Sequence, residues 1–214
     1  MSTTSRLVFG IVTSLFISVV LFSPILLAQS AIEELATQQI AERTGIDESQ
    51  LATLFVSDGQ DQFILAFVYI TQEVLESDLR PNLKEAVANF VGQNAMLTLV
   101  APTRLSQFSP GQLSFQQDDV TNLIVSGQIF SISDDFQSGQ IESNNVAAGV
   151  IVLPPNIDVS RQFNIVYQGK FIAPFSVTGV VVPPDNGVTV RIPGFLMAIL
   201  QFILMIFLLP FLVI

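Results

Sequence analysis

Histidine, cysteine and tryptophan are all missing from this chain of 214 residues. Without histidine, the commonest general base and the commonest transition-metal ligand are gone. Ser-His-Asp and Cys-His nucleophile machinery cannot be assembled from this chain alone. The ordinary zinc, copper and haem sites go with them. Without cysteine there is no disulfide, and the middle of the chain is long enough to bury a core unaided. No Asn-x-Ser/Thr sequon occurs, so nothing marks a glycosylated ectodomain. Lysine stands only at Lys84 and Lys170, neither in a neighbourhood that suits a catalytic base, and no glycine-rich phosphate loop follows a strand. No cofactor is expected.

Charge is also scarce. Eight basic residues face eighteen acidic ones, for a net charge of −10. With no basic stripe, nucleic acid is excluded as a partner. An acidic surface of this kind also repels anionic lipid headgroups and tolerates cations.

What the chain does have is apolar ends. From Phe195 to Ile214 the single polar residue is Gln201, and there is no charge. Twenty helical residues at about 1.5 Å each span roughly 30 Å, the thickness of a bilayer's hydrocarbon core. Pro193 and Gly194 mark the start, Arg191 would sit at headgroup depth, and Pro210 comes late, where a neighbouring helix or interfacial water meets the freed backbone. Residues 195–214 therefore read as a C-terminal transmembrane helix anchored through Phe195, Gln201 and Pro210. At the other end Arg6 precedes an apolar run reaching Ala28, which reads as a signal peptide or an N-terminal membrane anchor over residues 1–28. In either case the positive-inside bias puts the N-terminus in the cytoplasm and the acidic middle on the extracytoplasmic side of the cell membrane.

The middle divides near residue 94. Residues 30–94 read as a helical part of about four short helices. Ser30-x-x-Glu33 has the form of a capping box, followed by Ile32, Leu35, Ala36 and Ile40 at helical spacing and by Gly45 as a stop. Asp47-x-x-Gln50 is expected to open a second helix carrying Leu51, Leu54 and Phe55, and Asp58-Gly59 to form a turn. Phe63, Phe67, Ile70 and Val74 then suggest a largely buried helix over residues 63–79, although 63–70 alone also suits a strand. Asn82-x-x-Glu85 opens the last, with Ala86, Val87, Phe90 and Val91 facing inward.

Residues 95–192 change texture to Val, Ile, Phe, Ser and Gln broken by turn residues. Met96–Val100, Leu123–Ile132, Ala147–Leu153, Gln162–Tyr167 and Phe171–Val182 are expected strands. Asp118-Asp119, Asp134-Asp135, Ser143-Asn144-Asn145 and Gln168-Gly169 are expected turns. The fold class is therefore α+β: helices packed on a C-terminal antiparallel β-sandwich or barrel, flanked by membrane helices.

One internal echo stands out. Gly149–Arg161 (GVIVLPPNIDVSR) and Gly179–Arg191 (GVVVPPDNGVTVR) share Gly, a β-branched run, Pro-Pro, Asn or Asp, and then the order Val, Ser or Thr, Arg. Each reads as a buried strand stopped by two prolines, a turn and a new strand. The loops Pro154-Pro155-Asn156 and Pro183-Pro184-Asp185 are accordingly candidate interaction loops.

Carboxylates are the remaining catalytic vocabulary, and Asp118, Asp119, Asp134 and Asp135 are the candidates for a hydrolase of envelope glycan. Such chemistry needs two carboxylates aimed at one atom, whereas neighbours on a strand point to opposite faces. Calcium held between turns by Asp134, Asp135 and Glu142 is the metal alternative. Pro193-Gly194-Phe195 before the terminal helix resembles the archaeal sorting tails that open with Pro-Gly-Phe, and the resemblance implies processing by an archaeosortase. Those tails follow a Thr- or acid-rich linker and end in basic residues, whereas this one follows an expected strand and ends in Ile214. The leading expectation is a non-enzymatic structural or interaction subunit of a membrane or cell-surface assembly. Its partners would be membrane lipid and other membrane or surface subunits, including further copies of itself. A lipid- or calcium-binding module is the alternative.

Overall fold

A computed structural model describes residues 29–177, apart from Asn144 and the side chain of Ser138. The two apolar ends lie outside the described residues, as do the echo Gly179–Arg191, its loop Pro183-Pro184-Asp185 and the anchor residues Phe195, Gln201 and Pro210. No helix among the described residues is long and apolar enough to cross a membrane.

Helix α1 covers residues 29–44. It stops where Gly45 takes φ +68°, a left-handed conformation that costs glycine nothing, and the Gly45 N–H donates to the Ala41 carbonyl at 2.9 Å. Ala36 and Ile40 are buried as their spacing predicts. The expected second helix is absent. Asp47 caps a single 3₁₀ turn, Glu48–Gln50, and the chain then extends as β1 (Leu51–Asp58), turns through Gly59 at φ +59°, and returns as β2 (Asp61–Tyr69). The buried helix expected over residues 63–79 is thus a strand over its first seven residues, as 63–70 alone also suited, and is helical only at Gln72–Glu76.

The reason is arithmetical. Residues i and i+4 share a face at a period of 3.6 and equally at a period of 2. Phe63, Leu65 and Phe67 line one side of β2, while Ile64, Ala66 and Val68 line the other, and all six are buried. A strand covered on both faces carries no alternation that would reveal it.

Helices α2 (Gln72–Glu76) and α3 (Pro81–Ala88) follow. Pro81, whose missing N–H costs nothing at the first helical position, begins α3 one residue before the expected Asn82. The rest is β-rich: β3 (Ala95–Pro102), β4 (Ser106–Gln107), β5 (Leu113–Gln117), β6 (Val120–Leu123), β7 (Ile129–Ser131), the one-turn helix α4 (Asp135–Ser138), β8 (Gln140–Ile141), β9 (Ala147–Val152), β10 (Phe163–Tyr167) and β11 (Phe171–Phe175). The strands form antiparallel sheets of order β1-β2-β3-β9-β7 and β11-β10-β5-β6, with β4 and β8 as a small pair. The expected division at residue 94 is crossed by this pairing, since β2 and β3 are neighbours in one sheet.

The result is α+β, with antiparallel sheets facing each other as an open sandwich and the helices on the far side of the five-stranded sheet. Two cores follow. One joins α1, α2 and α3 to that sheet through Ile40, Val74, Leu83, Val87, Leu97 and Val150. The other fills the space between the sheets. There Phe63, Phe108 and Tyr167 meet with ring centroids 5.6–6.0 Å apart, and Phe108 lies 5.4 Å from Phe136. The Tyr167 hydroxyl accepts the Ser109 N–H at 3.3 Å, so its polar end is satisfied inside the apolar layer.

Gly149 on β9 leaves the space that the Phe136 ring fills. A Cβ built at Gly149 would lie 2.3 Å from Phe136 Cε1. Gly149→Ala is expected to destabilise by about 1–3 kcal/mol through overpacking. Phe136→Leu in that background should recover part of the loss, which urea unfolding of the two variants measures.

Candidate functional site

The sheets have four lateral edges, and the protein treats them unequally. An open edge exposes backbone donors and acceptors that recruit other strands unless something blunts it. At β1 the blunting is done by α1. Glu33 Oε1 accepts the Phe55 N–H at 2.8 Å, and Gln29 Nε2 donates to the Phe55 carbonyl at 3.1 Å and to Glu33 Oε1 at 3.1 Å. Thr53 Oγ1 donates to the Glu33 carbonyl at 2.6 Å and sits 2.9 Å from Thr37 Oγ1. Helix side chains thus occupy the place of a neighbouring strand. Glu33 is not the capping-box residue its spacing suggests, because residues 29 and 30 are already helical. The edge of β11 in the other sheet carries Pro174, which has no N–H to offer, and β11 packs beside β1.

The opposite side is different. It is made of β6, a 3₁₀ turn at Ser126–Gln128, and β7, which carries the chain from the four-stranded sheet to the edge of the five-stranded one. Val120 is 54% exposed, Leu123 73%, Val125 61% and Phe130 43%. These are four of the six exposed large apolar side chains among the described residues, gathered within residues 120–130. No charged residue occurs from Val120 to Ser133. Gln128 holds the turn by accepting the Val125 N–H at 3.0 Å and donating to the Val152 carbonyl at 3.1 Å. Phe130 lies 5.0 Å from Phe90, so its ring is supported from beneath. The rim is apolar and, from Val120 to Ser133, uncharged.

The candidate loop Pro154-Pro155-Asn156 adjoins this rim. Pro154 is buried, Pro155 and Asn156 are exposed, and Asn156 Nδ2 donates to Asn122 Oδ1 of β6 at 2.6 Å. Just beyond it, Gln117 at the end of β5 holds the chain by its side-chain amide, accepting the Asp158 N–H and donating to the Asp158 carbonyl, both at 2.8 Å. Ser160 donates from its N–H and hydroxyl to Asp158, and these bonds hold the Asp158 carboxyl below its usual range. The loop is built as part of the rim.

The carboxylates read from the sequence are not brought together. Asp118 and Asp119 form the β5–β6 turn, where Asp118 takes φ 53° and receives Arg161 at 2.7 Å. Asp134 and Asp135 instead begin α4, where Asp135 accepts from Asn145 at 3.3 Å. Glu142 lies past β8 on an exposed turn and accepts the Asn145 N–H through its backbone carbonyl. No group of three or more metal-competent side chains gathers among the described residues.

Charge is distributed by layer. Glu34, Glu42, Glu73, Glu76 and Glu85 are exposed on the helices. The four strands of the second sheet contain no charged residue. Across the outer face of that sheet, the register aligns Leu123, Ser114, Val166 and Ile172 in one row. No family model, curated protein or solved structure matches this chain.

The edge clamp at β1 has a pH signature. Burial raises the Glu33 carboxyl from 4.5 to about 7, against the lowering effect of the bonds from Phe55 and Gln29. A carboxyl whose folded value is raised is stabilising while protonated. That contribution is complete below pH 4.5 and is lost as pH rises to 7, at a cost of about 1–3 kcal/mol. Glu33→Gln is expected to flatten the dependence of stability between pH 4.5 and 7 and to be more stable than the parent at pH 8. Parallel urea titrations across that range check it.

Proposed function

We propose that this chain is a non-enzymatic interaction subunit, a membrane-anchored extracytoplasmic domain that docks on another protein subunit of a cell-surface or membrane assembly. The observation that carries the reading is the rim. A soluble surface normally scatters its exposed apolar residues singly. Here Val120, Leu123, Val125 and Phe130 are concentrated on one uncharged side of a protein with net charge −10. Exposed aromatic and aliphatic groups on a rigid support form the kind of centre around which protein interfaces bury area. The two apolar ends support the membrane placement, and Gln201, alone in residues 195–214, would hydrogen-bond to a neighbouring helix.

Aspartate placed at Val125 tests the docking, because that side chain is 61% exposed and outside both cores. Val125→Asp is expected to change folding stability by no more than about 0.5 kcal/mol and to weaken partner binding by more than about 1 kcal/mol. Purification from native membranes in mild detergent reads out what accompanies each version. An unchanged set of co-purifying subunits with the variant would remove the rim from the proposal. Gln201→Leu, by the same readout, should reduce recovery of the complex without affecting the rim.

A further inference from the structure

The two sides of the sandwich differ in backbone as well as in side chains. The two-residue turn Asp118-Asp119 closes on the pair Gln117 and Val120, so Val120 and Asn122 direct their backbone groups to β5. Thr121 and Leu123 therefore turn their N–H and C=O groups outward, and among the described residues nothing pairs with them across that edge. Proteins ordinarily blunt such an edge with a charge, a proline or a covering element. This one does so at β1, where Gln29 and Glu33 cover the strand, and at β11, which carries Pro174. The edge strand β6, Val120-Thr121-Asn122-Leu123, has no charge, proline or cover.

We propose that β6 pairs with β6 of a second copy of this chain, antiparallel about a two-fold axis at Asn122, so that two four-stranded sheets become one continuous sheet. The inference rests on reading this side as the interaction surface and names the occupant of its β6 part. Hydrogen bonding is the first argument for a second copy. With Asn122 opposite Asn122, Thr121 of each copy faces Leu123 of the other, and each such pair exchanges both of its N–H···O=C bonds. Every outward-turned donor and acceptor of the two strands is then satisfied.

Charge is the second argument. The chain has a net charge of −10 but no charged residue from Val120 to Ser133, so here a molecule of the same sign can approach. A partner of opposite charge would find nothing at this edge to attract it. The nearest carboxylates, Asp118 and Asp119, stand at one end of β6, and Asp118 already holds Arg161 at 2.7 Å. Antiparallel pairing sets the two Asp119 residues roughly 20 Å apart along the strand, six residues at about 3.4 Å each. That is well beyond the ~8 Å screening length in physiological salt.

The third argument is apolar cover. Leu123, 73% exposed, continues the outer row of Ser114, Val166 and Ile172. Across the axis the two Leu123 side chains are diagonal neighbours on that face, about 7–8 Å apart and within reach of each other. Pairing thus covers the most exposed large apolar side chain among the described residues.

Because the chain has no cysteine, a single introduced cysteine can form a disulfide only between copies. Full-length chains carrying Thr121→Cys, Asn122→Cys or Leu123→Cys are isolated in mild detergent, oxidised and read by mass. Asn122→Cys is expected to give several-fold more dimer than either neighbour, since it is the position that meets itself. No dimer, or equal yields at the three positions, would overturn the proposal. Two further variants report the pairing without a disulfide. Thr121→Pro removes a donor that β5 does not use, and Leu123→Lys puts like charges near the axis from a site outside both cores. Each should raise the dimer dissociation constant at least tenfold in sedimentation of the isolated chain, with the folded circular-dichroism spectrum retained. A dimer indifferent to Leu123→Lys would assign self-association to another surface and reject pairing at β6. The mass of the isolated chain reports this pairing, whereas subunits lost with Val125→Asp report the docking, so either can fail alone.

Discussion

Burial of the five-stranded sheet on both faces is the constraint on which the rest of this protein depends. Every residue of β3 is buried, and so are six consecutive residues of β2. A sheet that is apolar on two sides cannot exist as half of a two-layer protein. The helices are therefore structural necessities on one face, and the second sheet on the other. The antiparallel order follows from short hairpins such as Asp58–Asp61, while β9 inserts between β3 and β7 and brings the later part of the chain into the sheet started by the earlier part. The cost of such an arrangement is that any buried polar atom must find a partner within it. The Thr98 hydroxyl, in the middle of β3, finds none among the described residues.

Covering two faces leaves the edges as the places where the sheets can still interact. The protein uses side chains to close one side, with the carboxyl of Glu33 and the amide of Gln29 standing in for a strand. This closure is costly because a carboxyl must be taken partly out of water, and its raised proton affinity records that cost. The other side is left apolar and free of charge. That difference between two sides of one sandwich, more than any single residue, supports reading the rim as the working surface.

The sequence was most legible where one physical signal stood alone. Ile32, Leu35, Ala36 and Ile40 announce α1, and Gly45 its end, because an amphipathic helix against one layer has an unambiguous period. β3, β9 and β10 were found as apolar runs between turns. β1 and β2 were hidden because two-sided burial erases alternation, and the even spacing of Phe63 and Phe67 fits both periods. Ser30 and Glu33 imitate a capping box, yet the backbone N–H that the Glu33 carboxyl binds is 22 positions away in sequence, which no local pattern encodes. β5 was missed because Gln116 and Gln117 look like loop residues; Gln117 is buried only because its amide serves the backbone of Asp158. The expected strand Leu123–Ile132 conceals the rim, since its apolar run breaks at the 3₁₀ turn where the chain changes sheets. Exposure of Leu123 and Val125 is a tertiary fact that composition alone does not carry.

The separation of charge by layer has a consequence at distances where nothing touches. Exposed glutamates stand on the helices, and the strands of the opposite sheet carry none. Among the described residues the helix layer is net negative, with those five glutamates against Arg43 and Lys84, whereas the turns of the opposite sheet set Asp118, Asp119 and Asp158 against Arg161 and Lys170. A negatively charged plane therefore repels the helix layer more strongly than the sheet layer, over a range of about 8–10 Å in physiological salt, and raising the ionic strength weakens that difference without altering a contact inside the fold.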